Sequence, residues 1–270
     1  MTILVTGARG HVGAAVLNGL LAAGAPVRAS ARSPRPGEAR LDLADPGSFP
    51  AALDGVRQVF LYAHPATAPE FAEAARTAGV EHVVLLSSST VLAPDAAANP
   101  IARLHSTVER ALDDTGLDRT FVRPGYFATN SLRWQSIRTD RVLRTAFPDA
   151  TTAPVHEQDI AAVAVRALVG DARNTAWPVL GPGPVTIRDQ VAAIAGALGE
   201  PVRLQEIDVD SYRADLLTQL PEHLADRLIE LGGSVPALPA DVAVDAVPDL
   251  LGRPALTFAE WARDHADDFR

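Results

Sequence analysis

The residues Gly7-Ala8-Arg9-Gly10-His11-Val12-Gly13 have the types and the spacing to hold a pyrophosphate. They follow the apolar run Thr2–Thr6 and open the Ala/Leu-rich stretch His11–Ala23, which is a strand–turn–helix context. A tight turn there lets backbone N–H groups and a helix N-terminus face the anion, and glycine admits the close backbone approach. Gly7, Arg9, Gly10, His11, Val12 and Gly13 are therefore expected to contact a dinucleotide. The competing use of such glycines, a purely structural turn with close helix–sheet packing, does not require this context.

The end of the next strand chooses the cofactor. Val27-Arg28-Ala29-Ser30-Ala31-Arg32-Ser33 offers no carboxylate for a ribose 2′-hydroxyl. Arg32 can instead form charge-assisted bonds to a 2′-phosphate, with Arg9 closing over it, so the expected cofactor is NADP(H) rather than NAD(H). The alternative is that Arg32, Arg35 and Arg40 form a solvated basic loop.

Other chemistry is excluded by residue type. All 24 basic residues are Arg, so Schiff-base chemistry, a Walker-type lysine and a Tyr-x-x-x-Lys pair are impossible. There is no cysteine, hence no disulfide, thiolate metal site or cysteine nucleophile. The seven histidines lack a two-His ligand spacing beside acids, so no metal is expected. Ser87-Ser88-Ser89 lacks the G-x-S-x-G elbow of a hydrolase.

Positioning these groups needs alternating strands and helices. Strand-like runs at Thr2–Thr6, Pro26–Ala31, Gln58–Tyr62, His82–Ser87 and Thr120–Arg123 predict five parallel strands. Between them lie helical stretches His11–Ala23, Pro46–Leu53, Ala68–Ala78 and Ile101–Thr115, the last with Leu104, Val108, Ala111 and Leu112 on one face. After Pro124 the alternation fails. Phe127–Ile137 reads as helix, Thr151–Val155 as an extended segment feeding the helix Glu157–Val169, and Ala176–Leu180 as a strand. Thr186 is a plausible N-cap for a further helix. Short helices follow at about Asp210–Gln219, Pro221–Glu230, Ala240–Leu250 and Thr257–Asp268. The fold class is thus α/β, a doubly wound parallel Rossmann sheet over residues 1–150, with a smaller, mostly helical substrate lobe over 151–270 packed on it.

Length and charge agree with this reading. A chain of 270 residues fits one α/β unit with a small lobe, and 47% hydrophobic residues suffice for a core. The net charge of −9 disfavours nucleic acid as a partner. Residues 1–150 hold 15 Arg against 14 acids, and 151–270 hold 9 against 19, so the first part is the better host for an anionic cofactor. No stretch approaches a membrane span and no targeting segment opens the chain; a cytoplasmic protein without membrane partners, monomeric or homodimeric, is expected.

The residues resemble the NmrA-like group of atypical short-chain dehydrogenase/reductases, which includes NADPH-dependent quinone reductases. The resemblance spans the chain: Thr6–Gly13, Val27-Arg28 with Arg32, Leu41-Asp42-Leu43-Ala44-Asp45-Pro46, Leu53-Asp54-Gly55-Val56, Ser87–Ser89, His105 with Glu109, Gly116-Leu117, Arg123-Pro124, Val155–Ala161 and Phe258–Ala262. It implies that Asp42 and Leu43 flank the adenine and that Leu61-Tyr62-Ala63-His64 run along the ribose and phosphates. It places Ser87 and Ser88 beside the nicotinamide, with Pro124, Gly125, Tyr126 and Phe127 forming the loop next to its amide.

His105-Ser106-Thr107-Val108-Glu109 stands where ordinary members carry Tyr-x-x-x-Lys. The spacing puts His105 and Glu109 on one helical face, so Glu109 is expected to orient His105 and raise its pKa, making it a proton donor. The alternative is a structural pair that anchors the helix. Hydride transfer to a carbonyl leaves charge on oxygen that needs a donor, and Ser88, His105 and Tyr126 are the candidates, although Tyr126 can equally pack against the cofactor.

The resemblance thus implies an NADPH-dependent oxidoreductase that delivers hydride to a small-molecule quinone or conjugated carbonyl, drawing specificity from Tyr126–Ile137, the Val155 region and the helices after Asp208. A non-catalytic NADP(H) sensor and a non-redox isomerase or cyclase are the alternatives.

Overall fold

Apolar runs alternating with Ala-rich amphipathic stretches fold into parallel strands joined by helices. The structure, a computed structural model, describes residues 2–233 and 246–270. β1 (Thr2–Val5) leads into α1 (His11–Ala22), β2 (Val27–Ala31), the two-residue β3 (Ala39–Arg40), α2 (Phe49–Leu53), β4 (Val56–Tyr62), α3 (Ala68–Thr77), β5 (His82–Leu86), α4 (Pro100–Asp113) and β6 (Asp118–Pro124). Beyond Gly125 come α5 (Gln135–Asp140), β7 (Val142–Thr145), β8 (Thr151–Thr152), α6 (Glu157–Val169), β9 (Thr175–Val179), β10 (Val185–Thr186) and α7 (Ile187–Leu198). β11 (Arg203–Glu206), α8 (Val209–Leu217), α9 (Glu222–Glu230), α10 (Ala246–Leu251) and α11 (Phe258–Asp264) complete the described chain. The part of the expected Ala240–Leu250 helix before Ala246 lies outside the described residues.

These elements form two compact units that interleave along the chain instead of changing over at residue 150. The first takes residues 2–125, 157–179 and 246–253; the second takes 126–156, 180–233 and 254–270.

The first unit is a seven-stranded sheet in the order β3-β2-β1-β4-β5-β6-β9, with every pairing parallel. Five strands were expected in this sheet; β3 is an addition, and β9, expected as a separate strand over Ala176–Leu180, joins its edge. β3 is too short for any periodicity to reveal. β9 joins because α6 crosses over and packs on α1, where a Cβ on Gly19 would lie 2.9 Å from Cγ2 of Val165. β5 is buried along its whole length, and Leu53, Val59, Val83 and Leu85 are wholly inaccessible beside the edge-to-face pair Phe49–Phe71. Burying each such side chain contributes about 1.5–3 kcal/mol. Pro46–Leu53, expected as one helix, divides into a 3₁₀ turn over Pro46–Ser48 and α2. α4 starts on Asn99, whose Oδ1 accepts from the backbone N–H groups of Ile101 and Ala102, with Pro100 preset at the first position. Val108, Ala111 and Leu112 are buried as expected, whereas Leu104 is exposed.

His82 on β5 carries a measurable consequence. One ring nitrogen meets the Thr120 hydroxyl at 3.0 Å, the other has no hydrogen-bond partner among the described residues, and the side chain is inaccessible. Burial, reinforced by the Arg173 charge and opposed by Asp118, pushes its pKa from 6.5 down to about 4. The folded state binds the proton less well than the unfolded chain, so this stability is full above pH 6.5 and drains as pH falls toward 4. The full change amounts to about 3 kcal/mol. His82→Gln is expected to flatten that part of the pH profile in urea unfolding; equal slopes in both proteins would refute the assignment.

In the second unit β8 pairs antiparallel with β10, and β7 pairs parallel with β11. Thr186 and Thr257 each close a capping box, with Asp189 and Glu260, at the starts of α7 and α11. Trp261 is fully buried among Phe258, Phe269 and His265. The single helix expected over Phe127–Ile137 is a 3₁₀ turn, Ala128–Arg133, followed by α5, which ends on Arg141 at φ 54°.

Candidate functional site

β1 and β4 are neighbours at the point where the strand order reverses, which is where an open α/β sheet leaves a crevice beyond its strand ends. The loop after β1 turns through Gly7, whose φ of +59° favours glycine. A Cβ on Gly7 would sit 2.6 Å from the Tyr62 ring, and one on Gly13 would sit 2.1 Å from the Gly7 carbonyl oxygen. Tyr62 ends β4 and accepts from the Gly13 N–H at 3.2 Å, while its own N–H donates to Thr6 Oγ1 at 2.9 Å. Burial pushes the Tyr62 phenol above its usual range.

α1 begins on Gly10, which gives no side-chain cap, and carries no acid in its first turn. Such a start turns the positive end of the helix, with no carboxylate beside it, toward an anion. A cavity of about 540 Å³ opens here, lined by Gly7, Arg9, Gly10, Arg32, Asp42, Leu43, Tyr62 and His64, among others. His11, Val12 and Gly13 follow as the first residues of α1, and Ala63 follows Tyr62. The bare helix start and the positive-φ glycine beneath Tyr62 fit a dinucleotide's phosphates. The walls fit its adenosine half.

The cavity's charges differ from expectation in one respect. Arg32 is exposed on the rim and makes no hydrogen bond or ion pair among the described residues. Arg9 donates to the Ser33 carbonyl at 3.0 Å and pairs with Glu38. The Arg35 backbone N–H and the Arg9 guanidinium hold the Glu38 carboxyl below the usual carboxylate range. Glu38 was missed because it lies beyond the β2 end; the turn Pro34-Arg35-Pro36-Gly37, with Gly37 at φ +90°, folds it back. That Pro/Gly cluster was the available signal.

Asp42 is fixed by its own loop, its carboxylate accepting from the Ala44 N–H at 3.0 Å. His64 meets Thr67 Oγ1 at 2.9 Å, and Thr67 donates to the Leu43 carbonyl.

At the end of β5 the expected His105–Glu109 couple is replaced by another. Glu109 takes both donors of the Arg123 fork, at 2.9 and 2.7 Å, and accepts from Ser87 Oγ at 2.6 Å. The Glu109 and Arg123 side chains are only 10% and 17% exposed. With Glu109 so engaged, His105 Nδ1 is buried without a hydrogen-bond partner among the described residues. Burial lowers the His105 pKa, outweighing the Glu109 charge. Glu109 acts in the expected direction, but the expected net rise does not result, because desolvation outweighs the carboxylate's attraction.

Ser88 Oγ meets Thr90 Oγ1 at 2.9 Å and caps the turn after β5, accepting from the Thr90 N–H. Pro124 ends β6 in the first unit. Tyr126 and Phe127 belong to the second unit, where the Tyr126 carbonyl accepts from the Val155 N–H at 2.7 Å. Among the described residues no group of three or more His, Asp or Glu could hold a metal, and no helix is long and apolar enough to cross a membrane.

The profile of a family described as NAD(P)H-binding matches residues 7–171. The chain is 38% identical to the (4-alkanoyl-5-oxo-2,5-dihydrofuran-3-yl)methyl phosphate reductase of Streptomyces griseus, covering 99% of both chains. It is 34% identical to the NAD(P)H azoreductase of Xenophilus azovorans, again over 99% of both. In fold it is similar to the NADPH-dependent quinone oxidoreductase of Escherichia coli crystallised with NADPH, with a TM-score of 0.77, 24% identity, and 98% and 99% of the two chains covered.

Proposed function

Because the chain belongs to the NAD(P)H-binding family, among the NmrA-like atypical short-chain dehydrogenase/reductases, and is an NAD(P)H-dependent oxidoreductase, we propose that NADPH is its preferred donor and a quinone or conjugated carbonyl its acceptor. The observation that carries the acceptor class is the Ser87–Glu109–Arg123 network standing where a Tyr–Lys pair would supply an acid. An unactivated ketone needs a strong proton donor as hydride arrives, whereas a conjugated acceptor spreads the charge and needs only a hydrogen bond. The Streptomyces relative's name describes an unsaturated lactone bearing an acyl group, which is an acceptor of this kind.

When bound, the reduced nicotinamide supplies the hydride; the chain's part is to hold the dinucleotide and stabilise the developing oxyanion. Gly7–Gly13 and the start of α1 take the pyrophosphate, Arg32 the 2′-phosphate, Asp42 and Leu43 the adenine, and Tyr62–His64 the ribose. Ser87 and Pro124 border the nicotinamide. Ser88 and His105 are the first unit's candidate oxyanion donors, and the lowered pKa makes His105 a neutral donor at pH 7.

The decisive experiment titrates cofactor-free protein with NADPH and NADH, then adds a panel of quinones, enones and simple ketones while following NADPH absorbance. Oxidation with quinones or enones but not simple ketones is expected. Tight binding with no oxidation by any acceptor would defeat the reading.

Glu38 tunes the donor choice. Its carboxylate neutralises Arg9 and repels a 2′-phosphate, so Glu38→Gln is expected to tighten NADPH about two- to fivefold and leave NADH unchanged. Weaker NADPH binding would mean that Glu38 instead positions Arg9 for the phosphate.

A further inference from the structure

A second cavity, of about 240 Å³, lies entirely within the second unit. Its walls include Tyr126, Trp134, Leu143, Ile187 and Tyr212, and Arg133 opens onto it from the end of the 3₁₀ turn Ala128–Arg133. Arg133 is half-buried and makes no hydrogen bond or ion pair among the described residues. The other cation of the cavity, Arg144, is paired with Asp140 at 3.8 Å. Asp215 also lines the cavity, yet no ion pair joins it to Arg133.

The polar groups converge. The Tyr212 phenol, hydrogen-bonded to Thr145, is pushed up by burial and by Tyr126, and pulled down by the Arg133 charge. Arg133 and Tyr126 both lie within electrostatic reach of Tyr212.

A guanidinium drawn partly out of water costs free energy unless its donors are satisfied, and among the described residues no side chain satisfies them. Its fork matches the geometry of a phosphate, and two phenols beside it add further donors. Tryptophan and tyrosine rings among aliphatic side chains in the lining suit a flat ring. We propose that this cavity recognises a phosphate monoester carried on a planar unsaturated ring. Arg133 holds the phosphoryl oxygens, and Trp134, Tyr126 and Tyr212 hold the ring. As the identity of a substrate group the proposal rests on the reductase reading; as a binding site it does not.

The test uses the full chain with its dinucleotide site filled by saturating NADP⁺, so that phosphate cannot enter the glycine loop. Phenyl phosphate and phenol are titrated by calorimetry into wild type and Arg133→Gln. Phenyl phosphate is expected to bind wild type at least about tenfold more tightly than phenol, and to lose about tenfold or more in the variant while NADP⁺ affinity holds. Equal affinity for the two probes in wild type, or undiminished phenyl phosphate binding in the variant, overturns the proposal. Should Arg133→Gln fail to fold, Arg133→Lys is read instead, with a partial loss expected and an unchanged affinity overturning it. Phenyl phosphate binding in a protein that reduces no acceptor would sink the reductase reading alone. Quinone reduction by a wild type indifferent to phenyl phosphate would sink this one alone.

Discussion

Arg32→Glu is expected to weaken NADPH binding about a hundredfold while changing NADH binding by no more than about threefold. The two dinucleotides differ only in the 2′-phosphate, so any selective loss reports that group. Arg32 is the cation that the β2 end leaves free on the cavity rim; Arg9 is already shared between the Ser33 carbonyl and Glu38. Removing a charge-assisted pair costs about 1.5–3 kcal/mol, and the introduced carboxylate adds repulsion. Because the site is exposed, part of the effect should fade with salt. Fluorescence titration of both cofactors at two ionic strengths measures it. An equal loss for NADH would show that Arg32 supports the loop and not the phosphate.

Glu109→Ala should produce the largest change in stability, a loss of about 3–5 kcal/mol, because it leaves the Arg123 guanidinium buried and unpaired and Ser87 without its acceptor. The cost belongs to the orphaned charge more than to the pair. Accordingly the double variant Glu109→Leu/Arg123→Met is expected to recover most of the loss, since apolar replacement of both partners is often near neutral. Urea unfolding of the three proteins decides it. A double variant as unstable as Glu109→Ala would mean that the network is needed for more than charge compensation.

Local signals carried far at the level of elements. The strand runs, the glycine loop and the Thr186 cap each depend on neighbours in sequence, and they appear within a residue or two of where spacing puts them. Residue pairings were less legible. His105 and Glu109 share a helical face, but so short a relationship says nothing about a competitor arriving on another strand. Arg123 on β6 wins Glu109 through a bidentate bond that spacing could not foresee. Glu38 escaped for a related reason, since its approach to Arg9 depends on the path of one turn. β7 and β11 were also unforeseen, each being four residues long and finding its partner across a large separation in sequence.

The outermost strands also bear on self-association. The Val179 carbonyl accepts from the Gly125 N–H, so Val179 turns its backbone groups inward and the alternate residues Ala176 and Pro178 turn theirs outward. Proline has no N–H to offer, which leaves Ala176 as the outward donor between them. At the opposite margin β3 pairs through only Ala39 and Arg40. Both margins are thus poor templates for a further strand, and two copies of this chain have little means of joining their seven-stranded sheets edge to edge into a continuous ribbon.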